Sequence, residues 1–263
     1  AKIACFSKYH FHRIFHTQTG ETLFGFIQRL RLEKAAGMLL NNRSASITQI
    51  TYDCGFSGPS AFARAFRERF HMTATQWRLE NKSIYSRAKD SKIQEPDIHP
   101  AVKAEVNVHY LNRMHLAYIR YVGAYEGDEA LFKSLYKRLF TWAGPRDLID
   151  LQTKCIVVYH DDIDITDSSK LRVSAAVTVP PGTIVSPPVG EMRLEPGKYA
   201  CARFNLMADQ YHRAWQWVFS NWLPQSGFQP GDGPCFEYYP DIGNKKKDSG
   251  TMTVDICLPI VPL

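Results

Sequence analysis

The sequence predicts two domains of different class: an all-α double helix-turn-helix domain over residues 1–80 and, beyond a linker over 81–104, an α+β domain over 105–263 made of two strand-helix-strand-strand modules. Three observations carry this division. Up to about Asn81, apolar residues recur at three- and four-residue spacing between short polar turns, the period of surface helices. The run NKSIYSRAKDSKIQEPDIHP that follows is charged and aperiodic, as a linker is. After it, β-branched and aromatic runs such as HLAYIRYVG, CIVVYH, VSAAVTV, KYACARF and TVDICLPI alternate with two amphipathic helical stretches.

Charge divides the chain at the same place. Residues 1–90 hold 14 Lys and Arg against 6 Asp and Glu, a net +8, and the remainder holds 18 against 20, a net −2. Clustered Lys and Arg displace the counterions condensed on phosphates, so nucleic acid is the first partner expected for the head. The six cysteines (Cys5, Cys54, Cys155, Cys201, Cys235, Cys257) form no CxxC pair, so zinc-finger and thioredoxin spacings are absent and a reduced cytoplasm is the simpler setting. No stretch approaches the roughly 20 apolar residues of a membrane span, and the first residues carry no signal-peptide pattern. The expectation is a soluble cytoplasmic protein without membrane partner, metal or other cofactor.

In SITQITYDCGFSGPSAFARAFRERF, residues 46–70, a short helix from Ile47 to about Cys54 meets Gly55 and a second helix opens at Ser57. Gly55 supplies left-handed turn geometry, Ser57 is expected to cap the second helix, and Pro59 is tolerated in its first turn. Helical spacing turns Ala61, Phe62, Ala65 and Phe66 inward, and Ser60, Ala63, Arg64 and Arg67 outward, on a face that can enter a major groove. The same grammar recurs in CFSKYHFHRIFHTQTG, residues 5–20, with Phe6-Ser7 matching Phe56-Ser57 and an outward face of Lys8, Tyr9, His12 and Arg13. Between the copies, Leu23 to Leu40 is apolar at Leu23, Phe26, Ile27, Leu30, Met38 and Leu39, a helix of roughly 27 Å by rise per residue. Successive major grooves on one face of DNA lie about 34 Å apart, so this strut would let one chain occupy both and read an asymmetric site.

In the second half Gly123-Ala124-Tyr125 and Gly197-Lys198-Tyr199 are expected as matching points of an internal repeat, each followed by one helix and two strands. Asp128 can cap the first helix, Leu131, Leu135, Leu139 and Trp142 form its stripe, and Gly144-Pro145 should stop it. The second helix carries Tyr211, Trp215, Val218 and Trp222 and should halt before Pro224. Both stripes fit ordinary core packing. Glu237 stands inside the aromatic strand Phe236, Glu237, Tyr238, Tyr239. Either strand alternation turns it to solvent, or it is a carboxylate taken from water that needs a partner, which a ligand cation could be. His160, Asp161 and Asp162 are metal-ligand types, but neighbours on a strand or turn converge poorly, which favours a charged turn. Lys245 to Lys247 suit a solvated loop.

On RLRLEKAAGMLL and ITQITYDCGFSGPSAFARAFRERF the head resembles the AraC family of bacterial regulators, with two helix-turn-helix units joined by a linking helix. The resemblance implies that Tyr9, His12, Arg13, Ser60 and Arg64 stand where that family contacts bases of double-stranded DNA, and that Arg67 and Arg31 lie near backbone phosphates or pack structurally. Arg13 and Arg64 are the strongest candidates, since a guanidinium bonds guanine bidentately, whereas His12 is equally a plain surface residue. The family also has a helix and part of another ahead of the stretch that begins at Ala1. The first unit is therefore expected to be incomplete at its N-terminus, and weaker on DNA than a version carrying that helix, as a gel shift would show.

On VVYHDDIDITDSSKLRVSAAVTVP and PCFEYYPDI the body resembles the gyrase-inhibitor-like ligand-binding domain, in which two strand-helix-strand-strand modules embrace a groove. That resemblance puts Glu237 at the floor of a pocket for a small aromatic or cationic effector, with Tyr159, Tyr125, Trp142 and Trp215 as candidate walls. Together the two halves imply a regulator, not an enzyme, whose effector shifts its capacity to bind DNA or recruit RNA polymerase. Two alternatives stay open: a hydrolase of small electrophiles using the pocket glutamate, and a protein-binding module. No Ser/His/Asp or Cys/His constellation supports the first independently.

Overall fold

The computed structural model describes residues 7–42, 45–80, 104–240 and 251–263. Cys5, Phe6, nearly all of the expected linker and Lys245 to Lys247 lie outside these. The chain divides into two compact units, residues 1–83 and 84–263.

The first unit is helical: α1 Lys8–Thr19, α2 Leu23–Asn41, α3 Ile47–Asp53, α4 Pro59–Phe70 and α5 Ala74–Glu80. Side-chain oxygens of Ser7, Thr22 and Ser46 accept from the third residue on, closing the N-termini of α1, α2 and α3. Such caps contribute about 1 kcal/mol each. Two local expectations are corrected. Helix α4 is entered through Gly58 with no side-chain cap, because Pro59 takes the first helical position and shifts the boundary one residue past Ser57. Ala61 is exposed, and the inward stripe is Phe62, Ala65 and Phe66 alone.

With that one-residue shift the two copies keep a constant register. Helices α1 and α4 both have 12 residues and both end on a left-handed residue, Gly20 and His71. At this constant offset Phe15 matches Phe66, and Phe26 matches Trp77. The ring pairs agree: Phe15 meets Phe26 edge-on at 5.3 Å, and Phe66 meets Trp77 edge-on at 5.9 Å. A buried ion network joins the copies, with Arg29 on α2 held 3.0 Å from both Glu21 and Glu33, and Arg69 of α4 3.5 Å from Glu33.

The second unit is one antiparallel sheet under two helical stretches. In order it contains β1 Glu105–Leu111, β2 Met114–Val122, α6 Glu129–Ala143, β3 Cys155–Tyr159, β4 Arg172–Thr178, β5 Gly190–Leu194, β6 Gly197–Leu206, α7 Tyr211–Trp217, β7 Phe228–Pro230, β8 Cys235–Tyr239 and β9 Met252–Pro262. The strand order is β1-β6-β9-β8-β3-β4-β2-β5, with β7 beside β9. The triplets β2-β4-β3 and β6-β9-β8 are the two modules, meeting at β3 and β8. Strands β1 and β5 are exchanged, since each leads into one module yet pairs with the other.

The repeat lies elsewhere than on the Gly-Tyr pairs. Gly123 follows the end of β2 whereas Gly197 begins β6, so the two are not equivalent. The true match is CIVVY with CFEYY, β3 with β8, which pair so that Val157 faces Glu237 across the seam. Helix α6 is capped by Asp128 and ends at Ala143, as expected from Gly144-Pro145, which begin a short tighter turn that the left-handed Asp147 closes. Helix α7, by contrast, does not halt before Pro224. It widens over Val218–Trp222 and tightens over Leu223–Gln225, where proline sits acceptably in a first turn.

Strand alternation builds two layers. On the helix side, Leu135 and Leu139 of α6 pack on Ala117, Cys155 and Val177, and Ala214 and Val218 pack on Phe204 and Ile256. On the other side, Leu116, Ile156, Val158, Tyr199 and Phe236 form a separate cluster. Among the described residues no helix is long and apolar enough to cross a membrane.

Candidate functional site

The paired seam strands of the two modules carry one carboxylate, Glu237. Glu237 belongs to the helix-side layer of β8 with Cys235 and Tyr239, while Phe236 and Tyr238 point the other way. It is 1% exposed, so alternation turns it inward and not to solvent. Three neutral groups from three elements donate to it. The Tyr159 hydroxyl of β3 reaches Oε2 at 2.8 Å, the Tyr239 hydroxyl of β8 reaches the same oxygen at 2.7 Å, and the Trp215 indole of α7 reaches Oε1 at 2.7 Å. Tyr159 and Tyr239 are equivalent residues of the two modules, so the duplication itself supplies both hydroxyls.

Burial pushes the Glu237 carboxyl above its usual range, against the three donated hydrogen bonds, which favour the ionised form. Burial and the neighbouring carboxylate drive Tyr159 and Tyr239 well above the ordinary phenol value, so both remain neutral donors. Around them the Trp215 ring meets Tyr159 edge-on at 5.6 Å, and Tyr125 lies 5.7 Å from Tyr159. The Tyr125 hydroxyl is buried with no hydrogen-bond partner among the described residues. Tyr211, which burial raises to about 12, places its ring 6.5 Å from Tyr239.

Of the four wall residues expected around Glu237, the structure brings Tyr159, Trp215 and Tyr125 together and leaves Trp142 out. Trp142 packs with Ala117, Leu139 and Val189, under the Arg146 guanidinium at 5.0 Å. The part of α6 that packs beside Tyr125 and Tyr159 is Leu131, Phe132 and Tyr136. Trp142 is six residues further along, about 9 Å by rise per residue. Tyr239 was the donor to expect from the sequence, because it shares the Glu237 face two residues on.

The His160 turn is a polar network of the opposite layer. His160 Nε2 lies 2.9 Å from Ser174 Oγ, and Asp161 is engaged by the Arg172 guanidinium at 2.6 Å. Burial, with Arg120 and Arg172 nearby, lowers His160 to about 4, and burial raises Asp162 to about 6. Among the described residues no group of three or more His, Cys, Asp or Glu is arranged to hold a metal ion.

In the head, Lys8, Tyr9, His12 and Arg13 are exposed on α1, and Ser60, Arg64 and Arg67 are exposed on α4. By the register of the two helices Arg13 and Arg64 occupy the same position, as do Tyr9 and Ser60. Arg31 is different: a Cβ added at Gly55, where φ is +77°, would come within 3.3 Å of its guanidinium. Arg31 therefore packs over the turn of the second unit.

An N-terminal double helix-turn-helix unit, joined to a duplicated sheet domain with one buried carboxylate among aromatic donors, defines a DNA-binding transcription regulator with a small-molecule-binding domain. Two domain families match: a helix-turn-helix domain over residues 1–80, and the GyrI-like small molecule binding domain over residues 104–261. The chain belongs to the GyrI-like small molecule binding domain family and carries an AraC-type helix-turn-helix domain ahead of it. Among curated relatives, the DNA gyrase inhibitor of Escherichia coli (strain K12) is 27% identical over 138 residues, 51% of this chain and 84% of that protein. The uncharacterized HTH-type transcriptional regulator YbfP of Bacillus subtilis (strain 168) is 32% identical over 93 residues, 35% of this chain and 31% of that one. Among solved structures, EcmrR in the cryo-EM structure of its DNA complex aligns over 96% of this chain and 82% of its own, with TM-score 0.52 and 13% identity, a likeness of fold.

Proposed function

We propose that this regulator binds a flat, aromatic monocation over Glu237 and, through that binding, changes the hold of its helical head on double-stranded DNA. The observation that carries the reading is a buried carboxylate whose three hydrogen-bond donors are all neutral. A buried negative charge without a cationic partner is costly, and a ligand cation removes that cost. The rings of Trp215, Tyr159 and Tyr125 add cation-π attraction of about 0.5 to 2 kcal/mol each where they face the guest. Coupling of about 1 to 3 kcal/mol between the two units suffices for regulation, whether the output is DNA binding or recruitment of RNA polymerase. Five described cysteines are free thiols, which fits a reducing cytoplasm.

The test is a titration of the whole chain with a rhodamine-type cationic dye and a neutral analogue of the same shape, followed by tryptophan quenching across pH. The folded carboxyl titrates above its ordinary value, so ionising it costs stability as pH rises through the folded pKa, and a bound cation offsets that cost. Dye affinity is therefore expected to rise with pH as the carboxyl ionises and then to level off, with proton release on binding, while the neutral analogue shows no slope. Equal affinity for both compounds, flat with pH, would overturn the reading. The same raised carboxyl could serve as a general acid, which is the one observation favouring a hydrolase. Recovery of the dye and of a test ester unchanged after long incubation argues for binding alone.

For the head, the geometry supports α1 and α4 as the groove-entering elements, with Tyr9, His12, Arg13, Ser60 and Arg64 towards bases and Lys8 and Arg67 towards phosphates. Arg31 takes the structural one of its two expected roles. Arg13→Ala and Arg64→Ala should each cost about 1–3 kcal/mol of specific binding, roughly 5- to 150-fold, and relax sequence preference at one position. Lys8→Ala should weaken all sequences alike and lower the salt slope by about 1. Gel shifts over a salt series on matched and scrambled sites separate the two outcomes.

A further inference from the structure

The sheet face turned away from Glu237 has its own cavity, of about 260 Å³, lined by Phe236 and Tyr238 of β8, Lys154, Arg203, and two cysteines. Cys201 of β6 and Cys257 of β9 are directly opposed in register. Their sulfurs lie 3.3 Å apart, with the Cys257 thiol donating to Cys201. Both cysteines line the cavity, but Cys201 is half-buried and Cys257 only 2% exposed, so Cys201 is the more accessible of the two. Opposed residues of an antiparallel pair have Cα atoms about 4.5 or 5.5 Å apart, both inside the range a disulfide spans. Closing the bond, to about 2.05 Å, asks for movement of the side chains and not of the strands.

We propose that Cys201 and Cys257 are a hydroperoxide-reactive dithiol. The Cys201 thiolate attacks one peroxide oxygen, the O–O bond breaks, and the departing oxygen takes a proton to leave as water or an alcohol, which makes Cys201 a sulfenic acid. The Cys257 sulfur then attacks the Cys201 sulfur, the S–O bond breaks, and hydroxide leaves with the thiol proton as water. Two thiols are oxidised by two electrons, the peroxide is reduced by two, and a cross-strand disulfide remains.

The order of attack follows from the surroundings. The hydrogen bond from Cys257 pulls the Cys201 thiol down, with help from Arg203 and Lys154 against burial and Asp255. The bond it donates and its burial push Cys257 up, which suits the resolving and not the attacking partner. Cys155 and Cys235, raised by burial to about 11 and 12, stay protonated and inert.

The test uses the whole reduced chain and stoichiometric hydrogen peroxide, read by intact mass and peptide mapping. The expected product has lost two hydrogens and yields one peptide pair linking Cys201 to Cys257. Cys257→Ser should instead stop at a Cys201 sulfenic acid that dimedone captures, and Cys201→Ser should slow peroxide consumption at least about tenfold. Cys257→Ala serves if the buried serine hydroxyl lowers the melting temperature. Oxidation at other cysteines with Cys201 and Cys257 left reduced, or a Cys201→Ser chain that reacts as fast as the unaltered one, would overturn the proposal.

Discussion

Glu237→Gln is expected to weaken binding of an aromatic cation by about 2–3 kcal/mol, roughly 30- to 150-fold, and to abolish the pH dependence of that binding. The substitution keeps the shape and a carbonyl oxygen for the Trp215 indole or a tyrosine hydroxyl to donate to, so the aromatic surround stays in place. What it removes is the charge. Because burial holds the carboxyl above its ordinary value, its ionised form subtracts stability at pH values above the folded pKa, and that penalty vanishes with Gln. The melting temperature at neutral pH should therefore stay level or rise while cation affinity falls. Calorimetric titration alongside thermal melts separates this from misfolding. A variant that melts as before and binds the dye as tightly as before would remove Glu237 from the account.

The second large effect is structural and belongs to the head. Arg29 is 7% exposed and lies between the carboxylates of Glu21 and Glu33, with Glu33 8% exposed and Arg69 of α4 beyond it. Removing one member of such a group leaves the others charged and out of water, which costs about 3–5 kcal/mol. Arg29→Ala should lower the stability of the helical unit by about that amount and cut DNA affinity with it. Dye binding at Glu237, in the other compact unit, should be unchanged. Urea unfolding followed separately by circular dichroism at helix wavelengths and by dye fluorescence would check both statements. A head of unaltered stability would mean that water, and not Arg29, satisfies the two carboxylates.

Both effects arise where the sequence is only partly legible. The second helix-turn-helix unit reads directly because its signals are local: Ser46 caps, Gly55 turns, and Phe62 with Phe66 forms the stripe. Where two local signals compete the sequence is ambiguous, as at Ser57-Gly58-Pro59, where the best capping side chain yields to the residue that best begins a helix. Pro224 is a similar lesson. Proline disfavours the interior of an α-helix but sits well in the first turn of a short 3₁₀ segment, so the helical path continues through it. Strands β1 and β5 are not legible in the sequence because their pairing is exchanged between modules. EVNVHYL is largely exposed, so it shows little of the buried alternation that marks an interior strand. The internal repeat is legible in CIVVY and CFEYY, whereas the Gly-Tyr pairs belong to turns, which vary more freely than buried strand positions do. For the site, residue type could propose Trp142, Trp215 and Tyr125 on equal terms. Which of them turns towards Glu237 depends on how far each lies along its helix, a matter of tertiary packing.

The position of Glu237 opposite Val157 has a further consequence. Two equivalent positions face each other at the centre of a duplicated scaffold, and only one of them is an acid. The pseudo-twofold frame is therefore electrically lopsided, with a single negative pole set against an isopropyl group.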